Sequence, residues 1–187
     1  MHRPLILASA SPRRAELLAA AGYAFTVDPA HVDETERPDE APEDYVLRIA
    51  WDKARTVAGR HPDPAAIVLG ADTTVVARGE ILAKPAGESD AIRMLETLAG
   101  GIHHVFTGIV MISAGRELAE VVATRVRLVP LDREEIEWYV ATGEPMGKAG
   151  AYAIQGRAAR FVDWIEGSWS NVVGLPVATV NEMIKRL

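Results

Sequence analysis

The sequence predicts a mixed β-sheet with flanking helices, in the α/β or α+β class. Strand-like apolar runs alternate with helical patterns along the chain, which favours a sheet covered by helices. Two long strand-like segments, His104 to Ser113 and Leu118 to Leu128, are joined near Ala114 and Gly115 as a hairpin. A hairpin beside helix-linked strands gives both antiparallel and parallel pairs. The length of 187 residues predicts one domain, over residues 1–187.

In the first half of the chain, turn and capping residues separate the elements. Ser11 is the predicted N-cap of a helix that has Pro12 as its first residue and ends before Gly22. A second helix is amphipathic, and Arg78 with Gly79 can turn a long apolar strand back on itself. The predicted strands are Pro4 to Ala8, Tyr23 to Val27, Ile67 to Ala77 and Ile81 to Leu82, and the predicted helices are Pro12 to Ala21 and Pro42 to Ala58.

The second half contains two capped helices, an irregular loop, a strand and a terminal helix. Ser89 can cap the first helix, and Asp132 with Glu135 forms a capping box for the second. The loop is rich in Gly and Ala and lacks periodicity, so we expect it to be irregular but ordered. The segments are the helix from Ser89 to Leu98, the helix from Asp132 to Gly143, the loop from Glu144 to Gly156, the strand from Phe161 to Glu166 and the helix from Pro176.

The charge is unevenly distributed along the chain. Twenty Lys and Arg stand against 26 Asp and Glu, and the net charge of −6 argues against a general nucleic-acid or anionic-membrane binder. Eight acids and one Arg lie between Asp28 and Asp44, so this segment carries −7 and the rest of the chain +1. The composition therefore allows a local anion site outside the acidic segment.

The residue types exclude several other chemistries. The chain has no Cys, which removes disulfides, thiolate metal sites and a Cys nucleophile. No apolar run approaches the roughly 20 residues of a membrane helix, so the cytoplasm is the default location. His103 and His104 are neighbours on a predicted strand and point to opposite faces, so we do not expect them to share a metal. The sequence contains no P-loop and no arguable Ser-His-Asp order.

Asp72 interrupts the apolar run from Ile67 to Val76. An ionised carboxylate in such a place must be paired, hydrogen-bonded or bound to a metal, and burial favours proton uptake, as a general base requires. The alternative is a structural Asp bonded to Thr73, Thr74 or a turn backbone. Together with Glu34 and substrate phosphates, Asp72 could hold a hard divalent cation.

Several cations stand at unexpected positions. Ser9 to Arg14 forms a strand end, a tight turn and a helix start, where free N–H groups and the forked donors of Arg13 and Arg14 suit phosphate. Each cation also has an alternative interpretation. The arginines could be ordinary surface residues, and each lysine could bury its apolar stem while its ammonium group reaches water. Together they suit a polyphosphate, whose charges require several cations. The lysines are Lys53 on an apolar helix stripe, Lys84 after a buried strand and Lys148 in the Gly-rich loop.

Eight short pieces form a pattern that covers nearly the whole chain. They are S-A-S-P-R-R at Ser9 to Arg14, D-E-T at Asp33 to Thr35, Lys53 with Ala54, G-A-D-T at Gly70 to Thr73, K-P at Lys84 and Pro85, T-G at Thr107 and Gly108, K-A-G-A-Y-A-I-Q-G at Lys148 to Gly156, and G-S-W-S-N-V-V-G-L-P at Gly167 to Pro176. In order and spacing the pattern resembles the Maf-like nucleoside triphosphate pyrophosphatases, also called septum formation inhibitors.

The resemblance implies an α/β fold with an elongated mixed sheet and two lobes around a cleft, similar to inosine triphosphate pyrophosphatases, in a cytoplasmic homodimer. It implies hydrolysis of a nucleoside triphosphate to the monophosphate and pyrophosphate with a divalent metal, Mg or Mn. Asp72 matches the proton acceptor, and Asp72 and Glu34 are the expected metal ligands. The further matching positions are Glu34, Lys53 and Lys84 as catalytic residues, and Ser9, Arg13, Arg14, Thr73 and Gln155 as substrate-binding residues.

Three positions, Arg13, Thr73 and Gln155, distinguish the substrate branches of the family. The loop A-G-A-Y-x-I-Q-G, as in this chain, resembles the branch that acts on dTTP and UTP, whereas the branch that acts on 7-methyl-GTP usually has A-G-S-F-x-x-E-G. A carboxamide can donate and accept, which suits the O4 acceptor and the N3–H donor of uracil or thymine. We therefore expect dTTP, UTP or modified pyrimidine nucleotides as substrates. Gly147 departs from the family pattern, which usually has Asp at this position.

Three alternatives compete with this prediction. They are a non-catalytic nucleotide-binding regulator of septum formation, a 7-methyl-GTP pyrophosphatase and a phosphatase that releases orthophosphate. Asp72 and Glu34 speak against the first, because a pure binder of polyanions gains nothing from carboxylates unless a metal intervenes. Neither a nucleic-acid partner nor a membrane partner is expected.

Overall fold

A mixed sheet of seven strands with flanking helices forms the framework. The computed structural model describes residues 3–187, so residues 1 and 2 of the predicted domain lie outside the described residues. The strands are β1 (Leu5–Leu7), β2 (Phe25–Val27), β3 (Ile67–Ala77), β4 (Glu80–Leu82), β5 (Ile102–Ser113), β6 (Arg116–Leu128) and β7 (Val162–Glu166). The helices are α1 (Pro12–Ala20), α2 (Pro42–Ala58), α3 (Glu88–Leu98), α4 (Arg133–Ala141), α5 (Trp169–Val173) and α6 (Val177–Arg186), and 3-10 turns cover Ala149–Ala151 and Arg157–Phe161.

The strand order confirms the predicted mixed sheet and the α/β class. Hydrogen-bonded neighbours follow the order β2-β1-β3-β5-β6-β7, and β4 pairs with β3. β1 is parallel to β2 and β3, whereas β4 is antiparallel to β3 and β7 is antiparallel to β6. Both predicted turns, Arg78 with Gly79 and Ala114 with Gly115, have positive φ at each residue. This is the backbone of a type I′ turn, which matches the twist of a hairpin.

The chain divides into two compact units. The first contains the residues up to Thr73 together with 107–122 and 174–187, and the second contains 74–106 and 123–173. Side chains of β1 and β3 alternate between two core clusters of the first unit. Leu7 and Leu69 pack in the cluster that includes residues of α1 and α6, while Ile6 and Val68 pack with α2. β1 and β3 are therefore covered on both faces.

The second unit has a core of its own. The rings of Tyr139 on α4 and Phe161 pack edge to face with centroids 5.6 Å apart. The predicted capping box of α4 is confirmed, since Asp132 accepts from the Glu135 amide and the Glu135 side chain accepts from the Asp132 amide. The expectation of a single domain over residues 1–187 stays a prediction. Within residues 3–187, no helix combines the length and the apolar character that crossing a membrane requires.

Two capping predictions need correction. Ser89 does not cap α3, because the helix already begins at Glu88 and has Gly87 as its N-cap. Ser11 is the N-cap of α1 and Pro12 follows it as predicted, but the Ser11 side chain makes no capping hydrogen bond. The Ser11 amide instead donates to the Ser9 hydroxyl at 3.3 Å. The first difference concerns the residue at which the helix begins, and the second concerns the direction of a side chain.

Candidate active site

Two glycines place helix α2 directly against the sheet. A Cβ atom at Gly70 on β3 would lie 2.3 Å from the backbone oxygen of Ala50. A Cβ atom at Gly108 on β5 would lie 2.5 Å from the backbone oxygen of Val46. Such distances are far inside van der Waals contact, so only glycine permits this approach. The approach brings Lys53, on the buried stripe of α2, to Asp72 on β3.

Lys53 links two carboxylates at the centre of this contact. Its Nζ atom lies 2.7 Å from Asp72 Oδ1 and 2.6 Å from Glu34 Oε1. Lys53 and Asp72 are buried, whereas 39% of the Glu34 side chain is exposed. The burial of Asp72 is thus confirmed, and its partner is a lysine from another element, in place of the neighbouring threonines. The ammonium compensates for taking the buried carboxylate out of water.

The acidic segment that carries Glu34 is fastened to α2 by neighbouring side chains. The Tyr45 hydroxyl donates to the Glu34 backbone oxygen at 3.0 Å. Arg48 donates to the Thr35 backbone oxygen at 3.0 Å and forms a two-pronged pair with Glu40 at 2.6 and 2.7 Å. Burial, together with the charges of Asp72 and Glu34, raises the pKa of Tyr45 to about 12. At neutral pH the hydroxyl therefore keeps the proton that it donates.

The donor set suits a hard divalent cation that shares its coordination with a substrate. Oxygens of Asp72 and Glu34 already converge on one cation, the ammonium of Lys53. Residues 3–187 contain no group of three or more His, Cys, Asp or Glu side chains that could enclose a metal. Magnesium commonly binds through one or two carboxylates and completes its shell with water and substrate phosphates. Asp72 and Glu34 match that arrangement.

Arg14 is buried near the carboxylates of Asp72 and Glu34 and donates to three neutral oxygens. Its Nε donates to the Gly174 backbone oxygen at 2.8 Å, Nη1 to Ser9 Oγ at 2.9 Å, and Nη2 to Thr73 Oγ1 at 3.0 Å. Burial lowers the pKa of the Arg14 guanidinium, and the charge of Asp72 acts in the opposite direction. None of the three acceptors carries a charge, so Arg14 supplies a fixed positive field close to Asp72.

The hydroxyl of Thr73 uses its full hydrogen-bonding capacity in this network. Besides accepting from Arg14, Thr73 Oγ1 lies 2.9 Å from Thr107 Oγ1 and 3.2 Å from the Gly174 backbone oxygen. The carbonyl oxygen can only accept, so Thr73 donates to it and accepts from both Arg14 and Thr107. A hydroxyl has one proton and two lone pairs, and all of them are used. The observed role of Thr73 is to orient Arg14, and its predicted contact with substrate stays a prediction.

Replacing Thr73 by Val is expected to lower the free energy of unfolding by about 1–3 kcal/mol. The change keeps the shape but leaves buried donors of Arg14 and Thr107 without their acceptor. Urea unfolding with an unchanged m-value measures the difference. Thr26→Val, at an exposed position of β2, is the matched control. Its free energy of unfolding should change by no more than about 0.5 kcal/mol. Equal stabilities for the two variants would contradict the network.

The remaining predicted residues lie in different surroundings. Arg13 is half-buried in the first turn of α1, and this burial lowers its pKa more than Glu16 raises it. Lys84 and Gln155 belong to the second unit, and both are exposed. Lys148 is half-buried and donates to the Glu144 backbone oxygen at 2.5 Å. The structure thus gathers six predicted residues into two connected groups of the first unit, namely Ser9, Arg14, Glu34, Lys53, Asp72 and Thr73.

Three members of these groups were not assigned a role from the sequence. Thr107 stands in an apolar strand, as Asp72 does, so a polar interruption was the signal that could have singled it out. Tyr45 lies eight positions before Lys53 on the buried stripe of α2. Gly174 contributes only its backbone oxygen, which no side-chain pattern marks.

A model of the Maf-like protein family matches residues 4–187. This chain belongs to the Maf-like protein family. Proteins named dTTP/UTP pyrophosphatase are similar to the Maf-like chain over almost its entire length. The one from Koribacter versatilis is 51% identical, with 97% of this chain and 93% of the relative covered. The one from Anaeromyxobacter sp. is 54% identical (97% and 88% covered), and the one from Geobacter sulfurreducens is 50% identical (98% and 96% covered).

Among solved structures, a protein described as a nucleoside-triphosphatase / dITP/XTP pyrophosphatase, from Mycobacterium abscessus, aligns with the Maf-like chain. The alignment has a TM-score of 0.41 and 11% sequence identity, and it covers 68% of this chain and 75% of that chain.

Proposed function

We propose that this Maf-like chain is a hydrolase that converts dTTP and UTP to the monophosphate and pyrophosphate. The observation that carries the proposal is the buried carboxylate of Asp72, joined through Lys53 to Glu34 and flanked by the cation of Arg14. Relatives at 50–54% identity that are named dTTP/UTP pyrophosphatase support the choice of nucleotide.

In the proposed reaction, Asp72 accepts a proton from the attacking water. The water oxygen forms a bond to the α-phosphorus, and the bond from the α-phosphorus to the bridging oxygen of the β-phosphoryl group breaks. The nucleoside monophosphate and pyrophosphate are released, and the proton moves to the carboxylate. Lys53 donates to Oδ1 of Asp72, so we assign Oδ2 as the accepting oxygen. Such a positioned base accelerates a reaction by about 10²–10⁴-fold.

Cationic side chains have a second role in the proposal. Pyrophosphate carries more negative charge at the leaving oxygen as the bond breaks, and fixed positive groups stabilise that charge. Arg13 and Arg14 lie in the first turn of α1, where the helix dipole adds to their field. Lys53 and Lys84 are the other cations that we assign to this task.

A divalent cation held by Asp72 and Glu34 would neutralise phosphate charge and polarise a phosphoryl oxygen when bound. Glu34→Gln is expected to raise the Mg²⁺ concentration needed for half-maximal pyrophosphate release by about ten-fold, because one of two anionic ligands becomes neutral. Titration of Mg²⁺ into EDTA-treated protein at saturating UTP measures this. Glu36→Gln, also in the acidic segment, serves as the control, and an identical Mg²⁺ requirement in the two variants would remove Glu34 from the metal site.

A nucleotide panel with product identification tests the proposed function. Gln155 is exposed in the second unit and can present both a donor and an acceptor to a pyrimidine edge. We expect pyrophosphate from dTTP and UTP and little turnover of 7-methyl-GTP. The reverse ranking would place the chain in the 7-methyl-GTP branch, orthophosphate would indicate a phosphatase, and binding without any product would support a non-catalytic regulator.

We further propose a cytoplasmic homodimer without nucleic-acid or membrane partners, as the family resemblance implies. Light scattering coupled to size-exclusion chromatography measures the oligomeric state, and a monomer at assay concentrations would contradict the dimer. The net charge of −6 supports the expectation that nucleic acid does not bind.

A further inference from the structure

A cluster of side chains in the second unit holds the segment on both sides of Gln155. The Glu144 carboxylate accepts from the Arg157 amide at 2.9 Å through Oε1 and 3.1 Å through Oε2, and from the Ala158 amide at 3.4 Å. These amides lie two and three residues after Gln155. The carboxylate therefore fixes the backbone that leaves the glutamine.

Tyr139 holds the other side of the same segment. Its buried hydroxyl accepts from the Ala153 amide at 3.1 Å and donates to Glu144 Oε1 at 2.8 Å. Ala153 lies two residues before Gln155. Burial and the bond to Glu144 raise the pKa of the Tyr139 hydroxyl above its ordinary range. The hydroxyl consequently remains protonated and can serve both partners.

Gly156 completes the contact by its lack of a side chain. A Cβ atom at this position would lie 2.5 Å from each carboxylate oxygen of Glu144. The backbone φ of Gly156 is −105°, outside the left-handed region, so the close approach of the carboxylate is the reason for glycine here. The Glu144 carboxylate thus occupies the space that a side chain at Gly156, directly after Gln155, would fill.

We propose that Tyr139 and Glu144 are positioning residues that set nucleobase selectivity by holding the backbone around Gln155. This inference rests on the proposed function, because it assigns base recognition to the Gln155 carboxamide. The side chain of Gln155 is exposed and available to a ligand, whereas both of its flanks are bonded to Tyr139 and Glu144. A recognition group on a fixed backbone discriminates between bases better than one on a mobile loop.

Three variants disturb the contact in different ways. Tyr139→Phe removes the hydroxyl, Glu144→Gln removes the charge and replaces one acceptor by a donor, and Gly156→Ala displaces the carboxylate from the loop side. Each is expected to lower the ratio of kcat/KM for UTP over CTP by about ten-fold, mainly through KM for UTP. The double variant Glu144→Gln/Gly156→Ala is expected to lower the ratio no further than the single variants, since both disrupt one contact. Glu134→Gln, an exposed change on α4, is the control and should leave the ratio unchanged.

Hydrogen exchange of the 153–158 amides provides a measurement that needs no nucleotide. Exchange of these amides in the Tyr139→Phe and Glu144→Gln proteins should be at least about ten-fold faster than in the parent. Exchange of the α4 amides should be unchanged. Equal losses of kcat/KM for UTP and CTP, or unchanged exchange, would overturn the inference while the proposed function stands. A parent protein that releases no pyrophosphate from UTP would instead overturn the proposed function, and the inference with it.

Discussion

Asp72→Asn is expected to lower kcat for pyrophosphate release from dTTP by about 10²–10⁴-fold, the contribution of a positioned general base. The amide keeps the shape of the carboxylate and can still accept from Lys53 through one oxygen. It cannot take a proton from water at neutral pH. The measurement is the initial rate of pyrophosphate release at saturating dTTP, with thermal unfolding used to show that the variant is folded.

The matched control for this prediction is Asp52→Asn. Asp52 precedes Lys53 on α2 and undergoes the same chemical change, but it is half-exposed. Its variant should retain the parental kcat within about two-fold, as expected for a surface substitution away from the reaction. A folded Asp72→Asn protein with the parental rate would remove Asp72 from the reaction. If kcat fell equally in the two variants, the cause would be the altered net charge of the first unit.

The burial of Asp72 and Lys53 could be predicted because each interrupts an apolar pattern in the sequence, whereas the burial of Arg14 leaves no such pattern. Asp72 interrupts an apolar strand, and Lys53 falls on the apolar stripe of a helix whose bounds, Pro42–Ala58, agree with the prediction. Pro at the start and Gly after the end delimit that helix in the sequence itself. A charge in an apolar pattern predicts that a partner exists, since an unpaired buried charge is costly.

The partners themselves could not be predicted, because they depend on contacts between distant parts of the chain. Arg14 donates to the backbone oxygen of Gly174, 160 positions away. Backbone acceptors have no residue type, so no pattern marks them. The same limit explains why the cluster of Tyr139 and Glu144 was missed, since Tyr139 was predicted only as a helix residue and Glu144 only as the start of an ordered loop, and both bond to backbone amides. Helix α5 was missed for another reason, since its five residues are too few to display a helical period.

Charge illustrates how local distribution matters more than the total. The net value of −6 would by itself discourage a phosphate ligand, yet most of it belongs to the segment from Asp28 to Asp44. In the structure, Glu34 of that segment meets the ammonium of Lys53 at 2.6 Å. Arg48 neutralises Glu40 of the same segment. The acidic segment therefore contributes the carboxylate of Glu34 to the site, while the carboxylate of Glu40 is paired with Arg48.

Gly70→Ala is expected to lower the free energy of unfolding by about 3 kcal/mol or more, at the upper end of overpacking effects. The added Cβ would lie 2.3 Å from the Ala50 oxygen, 2.8 Å from the Ala54 nitrogen and 2.9 Å from the Ala54 Cβ. Two of these atoms belong to the helix backbone, so relief requires α2 to move away from β3. That movement would separate Lys53 from Asp72, and we expect pyrophosphate release to fall together with stability.

Gly59→Ala provides the control at the end of the same helix. Gly59 has right-handed helical φ and ψ, and an added Cβ would make ordinary contacts of 3.6 and 3.7 Å. Its variant should be as stable as the parent or up to about 1 kcal/mol more stable, because alanine restricts the unfolded chain. Urea unfolding of both variants measures the contrast. A Gly70→Ala protein as stable and as active as Gly59→Ala would contradict the prediction. In that case α2 could move away from β3 without separating Lys53 from Asp72. The direct contact of helix and strand would then not be what assembles the site.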